Sequence, residues 1–258
     1  NGRNRDYLLT AWYKHTFQLE DNHQLGVSFG LIDSTDYLEE NAYANDEYMQ
    51  FMNPALTNGP NVFLPSYDLG VALQWDNSAW SLRGVVMDIG ENDDGNNFSF
   101  YGLQAGYSVN NQLGTGKYRI VIAGASEDFL DPTGSQLESR AGVLLSFDQE
   151  FSESIGGWVR FGWQTDDAAV DYNAIDSGGV DFKGSSWGRK DDNIGIGYAW
   201  INGGSLDVRQ SQVAEAYYRI VFNDLFAMTA DIQYQQDDYD NTPDPNRFTA
   251  GLRLAAEF

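Results

Sequence analysis

The last twelve residues of the chain alternate in character. Phe248, Ala250, Leu252, Leu254, Ala256 and Phe258 share one parity, and Arg247, Thr249, Gly251, Arg253, Ala255 and Glu257 share the other. A period of two marks a strand whose faces meet different surroundings. A tilted strand of about ten residues crosses a bilayer, whereas a soluble sandwich seldom ends so long a strand on an aromatic carboxy-terminus. The pattern predicts a strand of an outer-membrane β-barrel, its apolar parity toward lipid and its polar parity toward a lumen. Phe258 is then the terminal aromatic, on the strand that barrel-assembly machinery engages.

The rest of the composition agrees with strands. Tyr, Phe and Trp make up 14% of 258 residues, and Gly (27) far exceeds Pro (6). No apolar run approaches the roughly 18 residues of a transmembrane helix. The chain contains no Cys, so disulfides and thiolate metal sites are excluded. A formal charge of −23 argues against nucleic acid, whose phosphates need a basic footprint. The acids crowd into segments such as 91–94 and 237–240, which read as loops, while strands carry most of the arginines. Residues 1–6 lack the apolar core of a signal peptide, so any export signal is expected upstream or already removed.

Parity read forward gives strands at 6–19, 25–32, 67–75, 79–89, 98–109, 117–126, 138–148, 155–165, 178–188, 193–201, 212–222, 225–235 and 247–258. Short turns alternate with longer polar loops, the arrangement of periplasmic turns and extracellular loops. The longest connection, 33–65, is rich in Asp, Glu, Asn and Tyr, and 46–52 within it suits a helical turn or two. A loop of this length in a compact protein is usually functional. It is the candidate for a constriction folded into the lumen, with a lid-like surface loop as the alternative.

About thirteen strands is an odd number, and bacterial barrels close with an even one. The whole of 1–258 is therefore expected to be the carboxy-terminal part of a larger barrel. The competing explanation is a miscounted strand in the irregular 178–188 segment.

Inward parity collects Lys14, Arg83, Arg119, Arg140, Arg160, Lys183, Arg219, Arg247 and Arg253, with Asp68, Asp181, Glu215, Asp231 and Glu257. Arg or Lys facing lipid at mid-bilayer costs about 2–4 kcal/mol, so these side chains should face water. Guanidinium forks donate to hydroxyl oxygens and carboxylates accept hydroxyl protons, which suits polyhydroxylated solutes. Trp12 and Trp158 share the inward parity and could stack on a sugar. The alternative is that arginines and acids brace the wall by pairing, as Glu215 with Arg219. Gly195, Gly197 and Ala199 leave inward room, either for passage or for a folded-in loop. Trp75, Trp80, Tyr107, Tyr118 and Trp163 fit interfacial girdles.

Other chemistry finds weak support. Gly26, Ser28 and Gly30 match a nucleophile elbow, but that motif needs a sharp strand-to-helix turn, and these residues lie inside an alternating strand. No enzyme activity and no cofactor are expected. Asp237, Asp238, Asp240 and Asp244 could offer oxygen ligands to calcium, although their spacing is not that of an EF-hand. Acidic outer loops could also meet cations bridging lipopolysaccharide. A homo-oligomer is compatible with the pattern.

Several segments resemble the carbohydrate-selective outer-membrane porins of the OprB type. They are 7–15 (YLLTAWYKH), 30–38 (GLIDSTDYL), 41–48 (NAYANDEY), 51–56 (FMNPAL), 187–198 (WGRKDDNIGIGY), 213–218 (VAEAYY) and 251–258 (GLRLAAEF). The resemblance implies a sixteen-stranded barrel passing sugars by diffusion through a constriction lined with arginines, acids and aromatics. The family's amino-terminal strands have no counterpart here. A plugged, scaffolding or receptor-like barrel is the alternative.

Overall fold

A computed structural model of the protein describes residues 8–92 and 95–256. The strands are β1 (Ala11–Glu20), β2 (His23–Asp33), β3 (Ser66–Asn77), β4 (Trp80–Glu91), β5 (Asn97–Asn111), β6 (Gly114–Ala125), β7 (Phe129–Leu130), β8 (Leu137–Glu138), β9 (Ala141–Ser152), β10 (Ile155–Gln164), β11 (Tyr172–Lys183), β12 (Asn193–Gly203), β13 (Val208–Asn223), β14 (Phe226–Tyr239) and β15 (Asn246–Ala256). Thirteen form one antiparallel up-and-down sheet in chain order, while β7 and β8 make a separate hairpin in the β6–β9 loop. Among the described residues no pairing joins β1 to β15.

The two faces of this sheet are inverted relative to a water-soluble protein. Leu69, Leu103, Leu252 and Leu254 stand exposed on one parity, whereas Ser28, Gln104, Ser146, Arg160 and Glu215 are buried on the other. An apolar exterior around a polar interior is the arrangement a bilayer stabilises. Among the described residues no helix is long and apolar enough to cross a membrane.

The buried face is filled by the chain between β2 and β3. One short segment of it shows that the sheet must curl. Glu40 meets Arg83 of β4 at 3.3 Å, and the Glu47 carbonyl accepts from Arg253 of β15. Nine strand intervals separate β4 from β15, which in a flat sheet is ~43 Å. Seven residues of loop reach ~25 Å at most and these are shortened by bends at 42–45, so even with the arginine side chains added a flat sheet is not spanned and the wall bends around the loop. Inside it, Leu38, Phe51, Leu56 and Val62 pack with Met87, Phe100, Leu144 and Ile175 of the wall.

Several boundaries differ from the sequence reading. The strand expected at 178–188 is Tyr172–Lys183, followed by a 3-10 turn at Gly184–Trp187. Its pairing with β10 and β12 begins well before Gly178, and ladder hydrogen bonds rather than side-chain alternation define it. The strand expected at 138–148 is shifted to Ala141–Ser152. Strand β14 extends to Tyr239, so Asp237 and Asp238 belong to a strand and not to a loop. The strand expected at 6–19 starts at Ala11; residues 6 and 7 lie outside the described residues, as do Asp93, Asp94, Glu257 and Phe258.

Residues 46–52 contain one hydrogen-bonded turn, with the Gln50 amide donating to the Asp46 carbonyl at 2.8 Å. The helix of this segment is instead Pro54–Thr57, where Asn53 caps the Ala55 amide and Pro54 occupies the first helical position.

Candidate functional site

Anchoring of the inner loop organises the buried face. Glu39 and Arg160 form a bidentate pair, Nε to Oε1 at 2.8 Å and Nη2 to Oε2 at 2.7 Å, with neither side chain exposed. Arg160 also donates to the carbonyls of Leu56 (2.8 Å), Thr57 (3.2 Å) and Ala44. The Ser146 hydroxyl completes the Glu39 carboxylate. A single guanidinium thus gathers both halves of the loop, as its planar fork of donors allows.

Further anchors surround this one. Glu215 accepts the amides of Met52 and Asn53 at 2.6 and 2.9 Å. Asp148 accepts from Arg119 at 2.6 Å and from the Ala42 amide at 3.2 Å. Gln104 accepts the Glu39 amide at 2.7 Å. Asn61 donates to the carbonyls of Val143 and Trp163 at 3.0 and 3.1 Å. Arg253 donates to the carbonyls of Glu47 and, at 3.0 Å, Gln50. Phe51 stacks edge-on against Trp158 and Tyr217, with centroids 5.7 and 5.1 Å away.

The predicted site residues therefore divide into groups. Arg119, Arg160, Trp158 and Glu215 lie buried behind or beneath the loop. Trp158 meets Phe51 and stacks under Arg160, whose guanidinium carbon lies 4.7 Å from the indole. Arg140 covers Phe63 at 4.3 Å. Arg83 bridges Glu40 and, at 2.8 Å, Asp76. Asp231 accepts from Gln233 at 2.9 Å.

The expected pairing of Glu215 with Arg219 is not formed. Both Glu215 oxygens are taken by loop amides, and Arg219 borders a small cavity between the turns at 184–192 and 224–225. The inward room beside Gly197 is occupied by the loop: a Cβ there would lie 2.9 Å from Phe51 Cε1.

Trp12 and Lys14 differ from the others. They sit on the exposed β1, where Lys14 donates to Gln74 at 2.5 Å. A cavity of about 600 Å³ opens between the loop and the wall, bounded by Thr10, Asp36, Glu40, Asp46, Tyr48 and Tyr67 and by neither Trp12 nor Lys14.

Two of the acids expected to suit calcium are otherwise engaged. Asp237 accepts the Ser211 hydroxyl and the Gln235 amide, and Asp244 accepts the Tyr239 amide at 2.9 Å. Among the described residues no group of three or more His, Asp or Glu side chains is gathered as a metal would require.

Sequence reasoning missed Glu39, Gln104, Ser146 and Asp148. Ser146 and Asp148 carried a usable signal, since they share the inward parity of Arg140. Glu39 had none, because nothing local distinguishes it from Glu40 beside it.

Comparison with known proteins agrees with this architecture. The family described as carbohydrate-selective porin, OprB family, matches residues 1–258. A protein of Aquifex aeolicus (strain VF5), itself recorded as uncharacterized, is 30% identical over 261 residues, covering 100% of this chain and 71% of the relative. The Pseudomonas putida OprB solved at high pH superimposes with a TM-score of 0.75 at 16% identity, over 97% of this chain and 73% of that one. At that identity the likeness establishes the fold, and the family match covers the full sequence. The chain belongs to the OprB family of carbohydrate-selective porins, which are outer-membrane β-barrels and not enzymes.

Proposed function

We propose that this chain forms the greater part of a sixteen-stranded outer-membrane barrel that passes small sugars or similar polar solutes by diffusion. The supporting observation is the loop between β2 and β3, anchored across the buried face from Arg83 to Arg253 while a cavity of about 600 Å³ remains open beside it. A constriction of this kind limits solute size without closing the path. Further strands between β15 and β1 would complete the wall, in keeping with the exposure of both end strands and with relatives that extend beyond the matched region.

On this reading the solute contacts Trp12 and Lys14, the loop residues Glu40, Asp46 and Tyr48, and Tyr67 at the start of β3. Trp158, Arg160, Arg119 and Glu215 hold the loop in position. Carboxylates accept sugar hydroxyl protons, and exposed aromatic faces suit the apolar side of a pyranose.

Liposome swelling with the full barrel tests the proposal, comparing glucose, a trisaccharide and an amino acid of glucose-like size. Preferential entry of glucose is expected. A second reading, a plugged or scaffolding barrel, draws on the apolar packing of Leu38, Phe51 and Leu56 inside the wall. Absence of uptake of every solute would decide for it.

A further inference from the structure

The outward face carries a depression that solute passage does not use. Across the sheet, one row of paired residues reads Tyr118, Phe147, Val159, Gly178 and Tyr198, from β6 to β12. The neighbouring row reads Gly116, Gln149, Gly157, Val180 and Ile196. Side chains are missing at Gly157 and Gly178, which lie diagonally to each other on adjacent strands. Phe151 and Val159 lean over these two positions, at 2.8 and 3.1 Å from where a Cβ would stand, and leave a groove beside them that Tyr118 and Phe147 also wall. The resulting groove has a volume of about 580 Å³.

Its position in the membrane is set by the strand ends. Gly157 is the third residue of β10, and Gly178 and Val180 fall in the last half of β11. Both lie toward the turn at 153–154 and the connection at 184–192, the end of the sheet that also carries the two-residue turns at 78–79, 112–113 and 224–225. In barrels of this class the short turns are periplasmic, which puts the groove in the leaflet of phospholipid rather than that of lipopolysaccharide. Tyr118, whose hydroxyl donates to Gln149 at 3.0 Å, stands at the same end, as an interfacial aromatic with a polar tip does.

We infer that this groove is a binding site for one acyl chain of a periplasmic-leaflet phospholipid. It is continuous with the apolar exterior formed by Val159, Phe161, Ile196 and Tyr198, so its only neighbour in a bilayer is hydrocarbon. From Phe147 of β9 to Val180 of β11 the groove spans two strand spacings, ~10 Å, which a flexible chain can enter. A second copy of this face would present protruding aromatics instead. The inference rests on the reading of the chain as a bilayer-spanning barrel with periplasmic short turns.

The experiment uses the complete barrel in vesicles of phosphatidylethanolamine carrying a diazirine on one acyl chain, with photolabelled peptides identified by mass spectrometry. Labelling at 157–159 and 178–180 is expected to exceed that at the outward residues Val71 and Leu73 of β3 several-fold. Val159→Trp, which fills the groove from its exposed rim, is expected to abolish the excess; Val180→Phe serves the same purpose if the first variant does not assemble. Native mass spectrometry of barrels extracted from cells should show retained phospholipid. Uniform labelling along the exterior, retention of lipid A instead, or a dimer lost in Val159→Trp would each overturn the inference. Glucose uptake by the same vesicles reports separately on the porin reading, so failure of one does not imply failure of the other.

Discussion

Glu39 and Arg160 lie 121 residues apart in the chain and meet in a bidentate contact from which water is excluded. The pair links the first part of the loop to the middle of the wall. Charge-assisted forks of this kind are strong and directional, but burying both ions carries a desolvation cost that their attraction only partly offsets. The pair therefore specifies where the loop sits more than it adds to net stability.

Removing one partner should be far more damaging than removing both. Arg160→Ala leaves a buried carboxylate and three backbone carbonyls without their donor, a loss of about 3–5 kcal/mol. The outer ladder remains intact, so assembly is expected with a lowered unfolding temperature on heat-modifiable gels. Single-channel conductance should rise and become noisy as the loop moves. Glu39→Met combined with Arg160→Met should recover much of the lost stability. Equal loss in the single and double variants would show that the pair does not act as a unit.

Glu215 presents a milder case. Its two oxygens take the Met52 and Asn53 amides, and hydrogen bonds of this kind contribute about 0.5–1.5 kcal/mol each. Glu215→Gln keeps one acceptor and should speed hydrogen exchange at residues 52 and 53 while leaving residues 38–41 protected. Unchanged exchange at both amides would remove Glu215 from the anchoring set.

Parity alone made the barrel wall legible. Thirteen strands follow from alternation because each has one lipid face and one inner face, and β15 carries the signal most clearly. Alternation failed at β11, where Ser177, Gly178 and Gly179 carry no contrast between faces, and backbone pairing to β10 and β12 sets the strand instead. Arg160 and Arg119 were legible as inward residues, and parity also placed Asp148 inward without pairing it to Arg119 nearly 30 residues away. Glu39 is identified as an anchor only by a contact more than 100 residues away. The apolar side of the loop was hidden for the same reason: Phe51 and Leu56 look like isolated hydrophobics until the wall curls over them.

The division of the two tryptophans can be tested directly. Trp158→Ala removes the surface on which Phe51 and Arg160 pack and should perturb loop position, a cavity-type loss of about 3–5 kcal/mol. Trp12→Ala, on an exposed strand, should leave thermal stability nearly unchanged and slow glucose entry relative to a non-sugar of similar size. A Trp12→Ala barrel with wild-type solute preference would exclude this indole from the path.

The hairpin loop between β6 and β9 offers a pH prediction away from the membrane. The Asp131 carboxylate accepts from the Thr133 hydroxyl at 2.6 Å and from the amides of Ser135 and Gln136 at 2.7 and 3.1 Å. These bonds, that of Thr133 first, favour the charged form and bring its pKa down to about 2. A depressed value means that the turn gains from ionisation above the ordinary value of 3.8 and loses that gain as pH falls through about 2. The carboxyl carbon resonance of Asp131 in nanodiscs should thus titrate with a midpoint near 2, and Thr133→Val should move it upward. Asp131→Asn should leave the turn insensitive over the same range. A midpoint at the ordinary carboxylate value would show that the turn is open in solution.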